Sequence, residues 1–340
     1  VFTMKKIAVL ILLIVVALAI AGYVVLVSPN VNTTKNIYIK IPTGSSYTDV
    51  LNILHEKQAL KNEWSFNLVA GLKKYEAHVN PGYYVLNKGM NNRQIVNMLR
   101  AGLQTPVKLV IYNIRTKEEF AGLVGRTLEL DSAAVILQLN DEKFCKSMMD
   151  ADTATILSRF IVDNYEFYWN VSADKFFAKL QEAYRTFWND ERRAKAAAIN
   201  LTPQSTTILA SIVEKEVIRD KELPTVAGVY LNRLKINMPL QADPTLVFAL
   251  RDFDARRVTS YHKDFDTPYN TYKYTGLPPG PICMPRKKSI DAVLNYEDHE
   301  YLYFCANPDM SGYSLFSKSY EDQMRVAAQY RQKLNKMNIH

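Results

Sequence analysis

Residues 202–217 read Thr-Pro-Gln-Ser-Thr-Thr-Ile-Leu-Ala-Ser-Ile-Val-Glu-Lys-Glu-Val, a run that sets a helix at the heart of the C-terminal half. Thr202 offers an N-cap oxygen, and Pro203 suits the first helical position, where its missing N–H costs nothing. Ile208, Ile212 and Glu216 form an i, i+4, i+8 row beside a second row of Leu209, Val213 and Val217. Glu216 therefore lies on the apolar face, whereas Glu214 falls about 200° around the helix from it, toward the polar side. A carboxyl among aliphatic side chains is costly to ionise, so its pKa is expected to rise. Such a group stays protonated near neutral pH and can serve as a general acid. The plainer alternative is a helix-end glutamate whose stem packs and whose head reaches water.

Outward from this helix, a second one is predicted over 223–236, with Val226, Tyr230 and Leu234 on one face. A loop over 238–245 leads into a short helix, and Asp243 before Pro244 carries the signature of a cap. Residues 268–272 (Pro-Tyr-Asn-Thr-Tyr) and 276–281 (Gly-Leu-Pro-Pro-Gly-Pro) make a long irregular stretch, either a substrate wall or a proline-braced connection. On the N-terminal side, 176–198 reads as one long helix, 107–111 as a strand, and helical segments fall around 117–126 and 132–149. The aromatic cluster 165–169 suits a core, with a carbohydrate-facing wall as the alternative.

At 340 residues the chain is long enough for two or three domains. Lys5 and Lys6 precede an uncharged apolar run over 7–27 whose helical length of about 31 Å would cross a bilayer's hydrocarbon layer. The lysines favour a cytoplasmic N-terminus, which places everything after residue 28 outside the cytoplasmic membrane. A cleaved signal peptide is the rival, with small-residue sites around Ala17–Ala21, but the apolar run continues past what such a peptide needs. No cysteine follows that run, which argues against a lipoprotein anchor. Cysteines 145, 283 and 305 are odd in number and widely spaced, unlike a disulfide scaffold; one bridge and buried free thiols both remain open. The net charge of +8 is spread over short basic clusters. An extracytoplasmic location argues against nucleic acid as a partner, and an anionic envelope polymer suits the charge.

The segment after the apolar run repeats internally. Gly44, Val50, Asn52 and Leu54 recur 45 residues later as Gly89, Ile95, Asn97 and Leu99. Each copy opens with an extended stretch, 37–41 and 82–86, followed by a glycine-containing turn and a short amphipathic helix. This unit resembles the LysM-like modules that grip glycan chains; a plain α+β spacer is the alternative.

Several segments, in this order, resemble the YceG-like family of endolytic murein transglycosylases. They are Leu-Ala-Ser-Ile-Val-Glu-Lys-Glu (209–216), Asn-Arg-Leu (232–234), Leu-Gln-Ala-Asp-Pro-Thr (240–245), Tyr-Asn-Thr-Tyr (269–272) and Gly-Leu-Pro-Pro-Gly-Pro-Ile (276–282). Tyr-Leu-Tyr-Phe (301–304) and Phe316-Ser317 also fit, so the likeness covers 160–340 well. The resemblance implies an α+β architecture. Its expected parts are a single transmembrane anchor at 1–28, a LysM-like repeat region at 36–105, a connecting α+β region at 106–200 and a lysozyme-like catalytic domain at 201–340. By motif the catalytic acid is Glu216, in agreement with the periodicity, with Glu214 as the fallback. Val217 departs from the small hydroxylated residue that usually follows the acid in lysozyme-like transglycosylases.

The implied reaction is non-hydrolytic cleavage of the MurNAc–GlcNAc β-1,4 bond, giving 1,6-anhydro-MurNAc ends. Gln241, Asp243, Thr245, Tyr269, Asn270 and Tyr272 are the candidates for orienting the sugar, each with an alternative role as cap, turn or packing residue. The implied partners are peptidoglycan strands, the cytoplasmic (inner) membrane and peptidoglycan synthases. A two-carboxylate muramidase would need a second acid about 5–9.5 Å away, for which Asp243 is the candidate. A non-catalytic peptidoglycan-binding scaffold is the other alternative. Ser172-Ala-Asp-Lys175 and Ser260-Tyr-His-Lys263 match the Ser-x-x-Lys pattern of penicillin-binding acyltransferases, but the companion motifs are missing. There is no zinc motif of the His-Glu-x-x-His or Cys-x-x-Cys kind, and neither metal nor cofactor is expected.

Overall fold

A computed structural model describes residues 2–32, 35–255, 258–309 and 311–336. It is a mixed α+β structure of two compact units. The first holds Val1–Leu109, Gly125–Leu130 and Glu166–Ser172, and the second holds Val110–Val124, Asp131–Tyr165 and Ala173–His340.

The first unit begins with α1 (Phe2–Val27), of which Lys6–Val27 is long and apolar enough to cross a membrane. There follow β1 (Ile37–Ile41), α2 (Tyr47–Glu56), α3 (Glu63–Leu72), β2 (Gly82–Leu86) and α4 (Asn92–Arg100). β1 and β2 pair antiparallel, Ile37 opposite Leu86 and Ile41 opposite Gly82. The internal repeat is thus strand–turn–helix used twice. Its two turn glycines, Gly44 and Gly89, have φ of +84° and +82°, a left-handed conformation that a Cβ would penalise. Ser46 and Asn91 then cap α2 and α4 with reciprocal capping boxes. Val50 and Leu54 of the first copy meet Ile95 and Leu99 of the second in one core, under Ile39, Ile41, Tyr84 and Leu86. Phe66, Val69 and Ala70 of α3, which belongs to neither copy, complete this core.

The chain continues through β3 (Val107–Val110), α5 (Lys117–Thr127), α6 (Ser132–Leu139), α7 (Glu142–Met149), β4 (Asn164–Phe167), α8 (Ala173–Phe187) and α9 (Asp190–Ala198). The single helix expected over 176–198 is two helices. Asn189 accepts a hydrogen bond from the Arg192 amide at 3.0 Å and caps a fresh start, while Trp188 turns into the core at 1% exposure. A good N-cap at that position outweighs the helix-forming composition around it. Within 165–169, Tyr165, Phe167 and Trp169 are buried and Tyr168 is exposed. All three cysteines are free, and Cys145 and Cys283 are buried.

The second unit is organised around α10 (Pro203–Glu216), capped by Thr202 with Pro203 at its first turn. Every residue from Thr206 to Val213 is buried, so α10 is a core helix rather than a surface one. It packs against α11 (Leu223–Lys235), α12 (Asp243–Ala249) and α14 (Lys287–Leu294). The short α13 (Ser260–Asp264) lies between α12 and α14 in sequence, and β5 (Tyr303–Ala306), β6 (Ser314–Ser317) and α15 (Tyr320–Lys336) are the last elements among the described residues. β5 and β6 form an antiparallel hairpin. Leu209, Ile212 and Val213 of α10 share their core with Val226 and Tyr230 of α11 and Val293 of α14.

Gly228 is fixed by close approach. A Cβ on Gly228 of α11 would lie 2.6 Å from the Glu297 carbonyl and 2.7 Å from His299 Nε2. Gly228→Ala should therefore push the 297–299 strap off α11 and cost about 1–3 kcal/mol. A lower urea midpoint with an unchanged slope, measured on the chain in detergent, would bear this out.

Candidate active site

Glu216 is the last residue of α10, with Val217 already extended. The residue is partly exposed at the helix end, but its carboxyl is enclosed. Burial and the nearby Asp243 carboxylate push its pKa up from 4.5 to about 7. The C-terminal end of a helix carries partial negative charge and acts in the same direction. Two groups on α11 oppose the rise: the Tyr230 hydroxyl donates a hydrogen bond to the carboxylate, and the Arg233 guanidinium favours its ionised form. The ring of Tyr230 lies in the core, and ionised Glu216 beside it helps hold its phenol well above the usual value.

Arg233 is only 6% exposed. Its Nε donates to Leu302 O at 2.7 Å and its Nη1 to Leu240 O at 2.6 Å. Carbonyl oxygens satisfy the donors but leave the positive charge unneutralised, so it is available to Glu216. Neither Tyr230 nor Arg233 stood out as a site residue in the sequence. Tyr230 reads as one of the apolar face of α11, and the Arg233 guanidinium is held by the carbonyl of Leu302, 69 residues away and just before β5.

Glu214 is engaged elsewhere. Its carboxylate accepts from Arg286 Nε at 2.5 Å, from the Arg286 amide at 3.3 Å and from the Ser289 hydroxyl. That arrangement ties α10 to the start of α14 and makes Glu214 a structural acid.

Asp243 differs from the expected cap. It is the first residue of α12, Ala242 holds the cap position, and no side chain caps the helix. The Asp243 carboxylate instead accepts from the Tyr272 hydroxyl, whose pKa burial and this bond raise far above normal. Lys263 Nζ sits 4.5 Å from the centre of the Tyr272 ring on its way past. Each of the two acids is thus held by one tyrosine.

Glu216, Asp243, Arg115, Lys215, Phe248 and Phe253 are among the residues around a cavity of about 300 Å³. The Arg115 guanidinium lies 4.6 Å from the centre of the Phe253 ring, and Lys215 Nζ donates to Asn113 Oδ1 at 2.9 Å. Acid, second carboxylate, cations and aromatic walls therefore meet in one cleft, suited to a polar ligand with both ring faces and hydroxyls.

The other expected site residues have different positions. Thr245 is buried; its hydroxyl donates to Ala242 O at 2.7 Å, so the 2.9 Å contact with Thr271 Oγ1 has Thr271 as donor. Asn270 is also buried. Its amide donates to Lys263 O and Phe265 O, and its oxygen accepts from the Tyr272 amide at 3.0 Å. Both side chains spend their hydrogen bonds inside the loops that present Asp243 and Tyr272. Gln241 is exposed, has φ of +50°, and its backbone N–H donates to Thr271 O. Tyr269 packs on Phe248 at 5.1 Å and lines a smaller adjoining cavity with Arg115 and Pro281. The irregular stretch is fastened to α10 through Ser211, whose hydroxyl accepts from the Ile282 amide at 3.0 Å. Cys283 beside it is buried, with its thiol pushed up to about 12.

A model of the YceG-like family matches residues 39–329. A *Bacillus subtilis* protein named endolytic murein transglycosylase is 28% identical over 319 residues, covering 88% of this chain and 85% of its own length. A protein of the same name from *Streptococcus pneumoniae* is 27% identical, covering 89% of this chain but only 60% of its own length. The crystal structure of a YceG-like protein from *Listeria monocytogenes*, 30% identical, superposes with a TM-score of 0.59 over 86% of this chain and 99% of that one.

The raised value of Glu216 couples stability to pH. The folded pKa of about 7 lies above the ordinary 4.5, so its contribution is fully present below pH 4.5 and lost as pH rises through 7. The loss should total about 3 kcal/mol. Glu216→Gln carries no such ionisation, so its advantage in stability over wild type should grow by about that amount between pH 4 and pH 8 in paired urea titrations. Tyr230→Phe removes a bond to the ionised form and should raise the Glu216 pKa further, read by carbon-13 titration of the carboxyl.

Proposed function

The chain belongs to the YceG-like family, and from that premise we propose that it is an endolytic lytic transglycosylase of peptidoglycan with Glu216 as its single acid and base. The observation that carries the reading is the enclosed Glu216 carboxyl, with a pKa of about 7, at the wall of a cleft. The shared name of the relatives, endolytic murein transglycosylase, supports the same class of reaction.

In the proposed reaction, protonated Glu216 gives its proton to the glycosidic oxygen between MurNAc C1 and GlcNAc C4. The C1–O bond breaks and positive charge develops at C1, next to the Asp243 carboxylate. Glu216, now ionised and steadied by Tyr230 and Arg233, takes the proton of the MurNAc 6-hydroxyl as O6 attacks C1. A 1,6-anhydro end and a free GlcNAc 4-hydroxyl result, no water is consumed, and Glu216 regains its proton. A value near 7 suits a group that must first give and then take a proton. Asp243, Tyr272, Gln241 and Tyr269 contact the sugars in this reading, while Thr245 and Asn270 act by holding the loops that carry them.

The proposal extends to the whole chain. Residues 1–28 anchor it in the cytoplasmic membrane with the N-terminus inside. The repeat at 36–105 grips glycan as a LysM-like module, 106–200 connects, and 201–340 forms a lysozyme-like catalytic domain beside peptidoglycan synthases. The cleft also draws Arg115 from the connecting region. A second reading, a two-carboxylate muramidase, is favoured by one observation: Asp243 lines the same cavity as Glu216.

The test is to incubate the chain with uncrosslinked peptidoglycan strands and identify the new ends by mass spectrometry. Anhydro ends are expected from the wild type, with a loss of about 10²–10⁴-fold in Glu216→Gln; reducing ends would establish the muramidase instead. Because the Asp243 charge raises the Glu216 pKa, Asp243→Asn should move the alkaline limb of the pH–rate profile to lower pH. A muramidase would lose its reaction in that variant altogether.

A further inference from the structure

The exposed side of α3 carries, beside Glu63 and Asn67, an apolar row where a soluble helix would be polar. Trp64, Leu68 and Leu72 are 68%, 43% and 71% exposed. They are spaced i, i+4, i+8, so they form one row about 12 Å long. The core does not require this row, because α3 already fills the core from its opposite face with Phe66, Val69 and Ala70. Lys61 before the row and Lys74 after it are exposed, and the acidic Glu63 is paired with His55 at 2.8 Å. A continuous apolar row with a tryptophan at one end and lysines at its borders is the composition of an interfacial helix.

The position of the row within the first unit says what covers it. The last turn of α1 packs on α3 and α4, with Val25 and Leu26 against the unit's core. Asn92 Nδ2 donates both to Val25 O and to Ser65 Oγ, each at 2.9 Å. Asn30 Nδ2 donates to Asn92 Oδ1 at 2.6 Å and to Asn62 O at 2.9 Å. The end of the apolar helix is therefore clasped to the first turn of α3, and Trp64 is the residue next to Ser65. Tyr23, one turn before the end of α1, is 66% exposed. Tyrosine there and tryptophan on the adjoining helix are the residues that settle at the boundary between acyl chains and headgroups.

We propose that α3 is a second membrane contact, lying in the outer interface of the bilayer with Trp64, Leu68 and Leu72 inserted beside the exit of α1. The first unit is then seated on the membrane surface rather than held away from it. This inference rests on the reading of α1 as an uncleaved anchor.

The full chain is reconstituted into vesicles of phosphatidylcholine and phosphatidylglycerol, with and without bromine on the acyl chains, and floated on a density gradient. Trp169 and Trp188 are 8% and 1% exposed, so Trp64 is the tryptophan that can report lipid contact. In floated protein, about half of the Trp64 emission, defined by difference from Trp64→Phe, should be lost to acyl-chain bromines. That emission should also be blue-shifted and protected from aqueous acrylamide. Leu68→Glu combined with Leu72→Glu lies on the exposed face, and it should abolish the bromine quenching while leaving flotation intact. Floated protein whose Trp64 emits as in water, quenched by acrylamide and not by bromolipid, would overturn the inference and leave the anchor standing. Protein that does not float would overturn the anchor reading and the inference with it.

Discussion

The candidate site of the second unit answers to one constraint, the withdrawal of the Glu216 carboxyl from water. Burial, the Asp243 charge and the C-terminal end of α10 disfavour its ionisation; the Tyr230 hydroxyl and the Arg233 guanidinium favour it. The balance leaves a net shift worth about 3 kcal/mol, large enough to keep the acid protonated near neutrality and small enough to let it ionise there. Neither side of this balance is local. The carboxyl sits at the end of a helix whose middle, Thr206 to Val213, is buried, the opposing groups come from α11, and the raising charge comes from the start of α12. Arg233 is itself held by carbonyls of the loop before α12 and of the segment leading into β5. The acid's value is thus a property of the packed unit.

That dependence explains what could be read from the sequence and what could not. Glu216 was legible because an i, i+4, i+8 row needs only the helical period, and α10 keeps that period from Pro203 to its end. Glu214 was legible as the other face, though not its hold on Arg286 and Ser289, more than 70 residues on. Asp243 before Pro244 looks like a cap because that is its commonest local use. Only the fold reveals that Tyr272 claims its carboxylate. Asn270 and Thr245 have the chemistry of sugar-binding residues, but a residue's type does not tell whether its hydrogen bonds end in its own loop. The helix break at Asn189 shows the reverse case, in which a local signal was present and the Ala-, Lys- and Arg-rich surroundings obscured it.

The first unit shows how a repeat can be symmetric in its core and asymmetric in its use. Gly44 and Gly89, Ser46 and Asn91, Val50 and Ile95, Leu54 and Leu99 do the same work in the two copies: turn, cap and core. Positions that fix the fold are constrained alike by the same backbone, which is why the repeat is visible at all.

The copies part at the residue after the cap. In the first it is Tyr47, whose hydroxyl reaches Asn67 Oδ1 of α3 at 2.7 Å. In the second it is Asn92, which reaches Ser65 of α3 and also the Val25 carbonyl at the end of α1. Both first-turn side chains therefore grip the one helix that belongs to neither copy, but only a short amide can also satisfy the carbonyls an ending helix leaves open. Asn92 is 1% exposed. Its donors and acceptor form a closed set with Asn30, Ser65 and Val25, and such a set specifies one geometry because each broken bond leaves a buried polar group unpaired. A tyrosine in its place would fill the space between the helices without serving the Val25 carbonyl. The difference between Tyr47 and Asn92 thus turns one of a pair of strand–turn–helix units into a fixed mount for the apolar helix that precedes them.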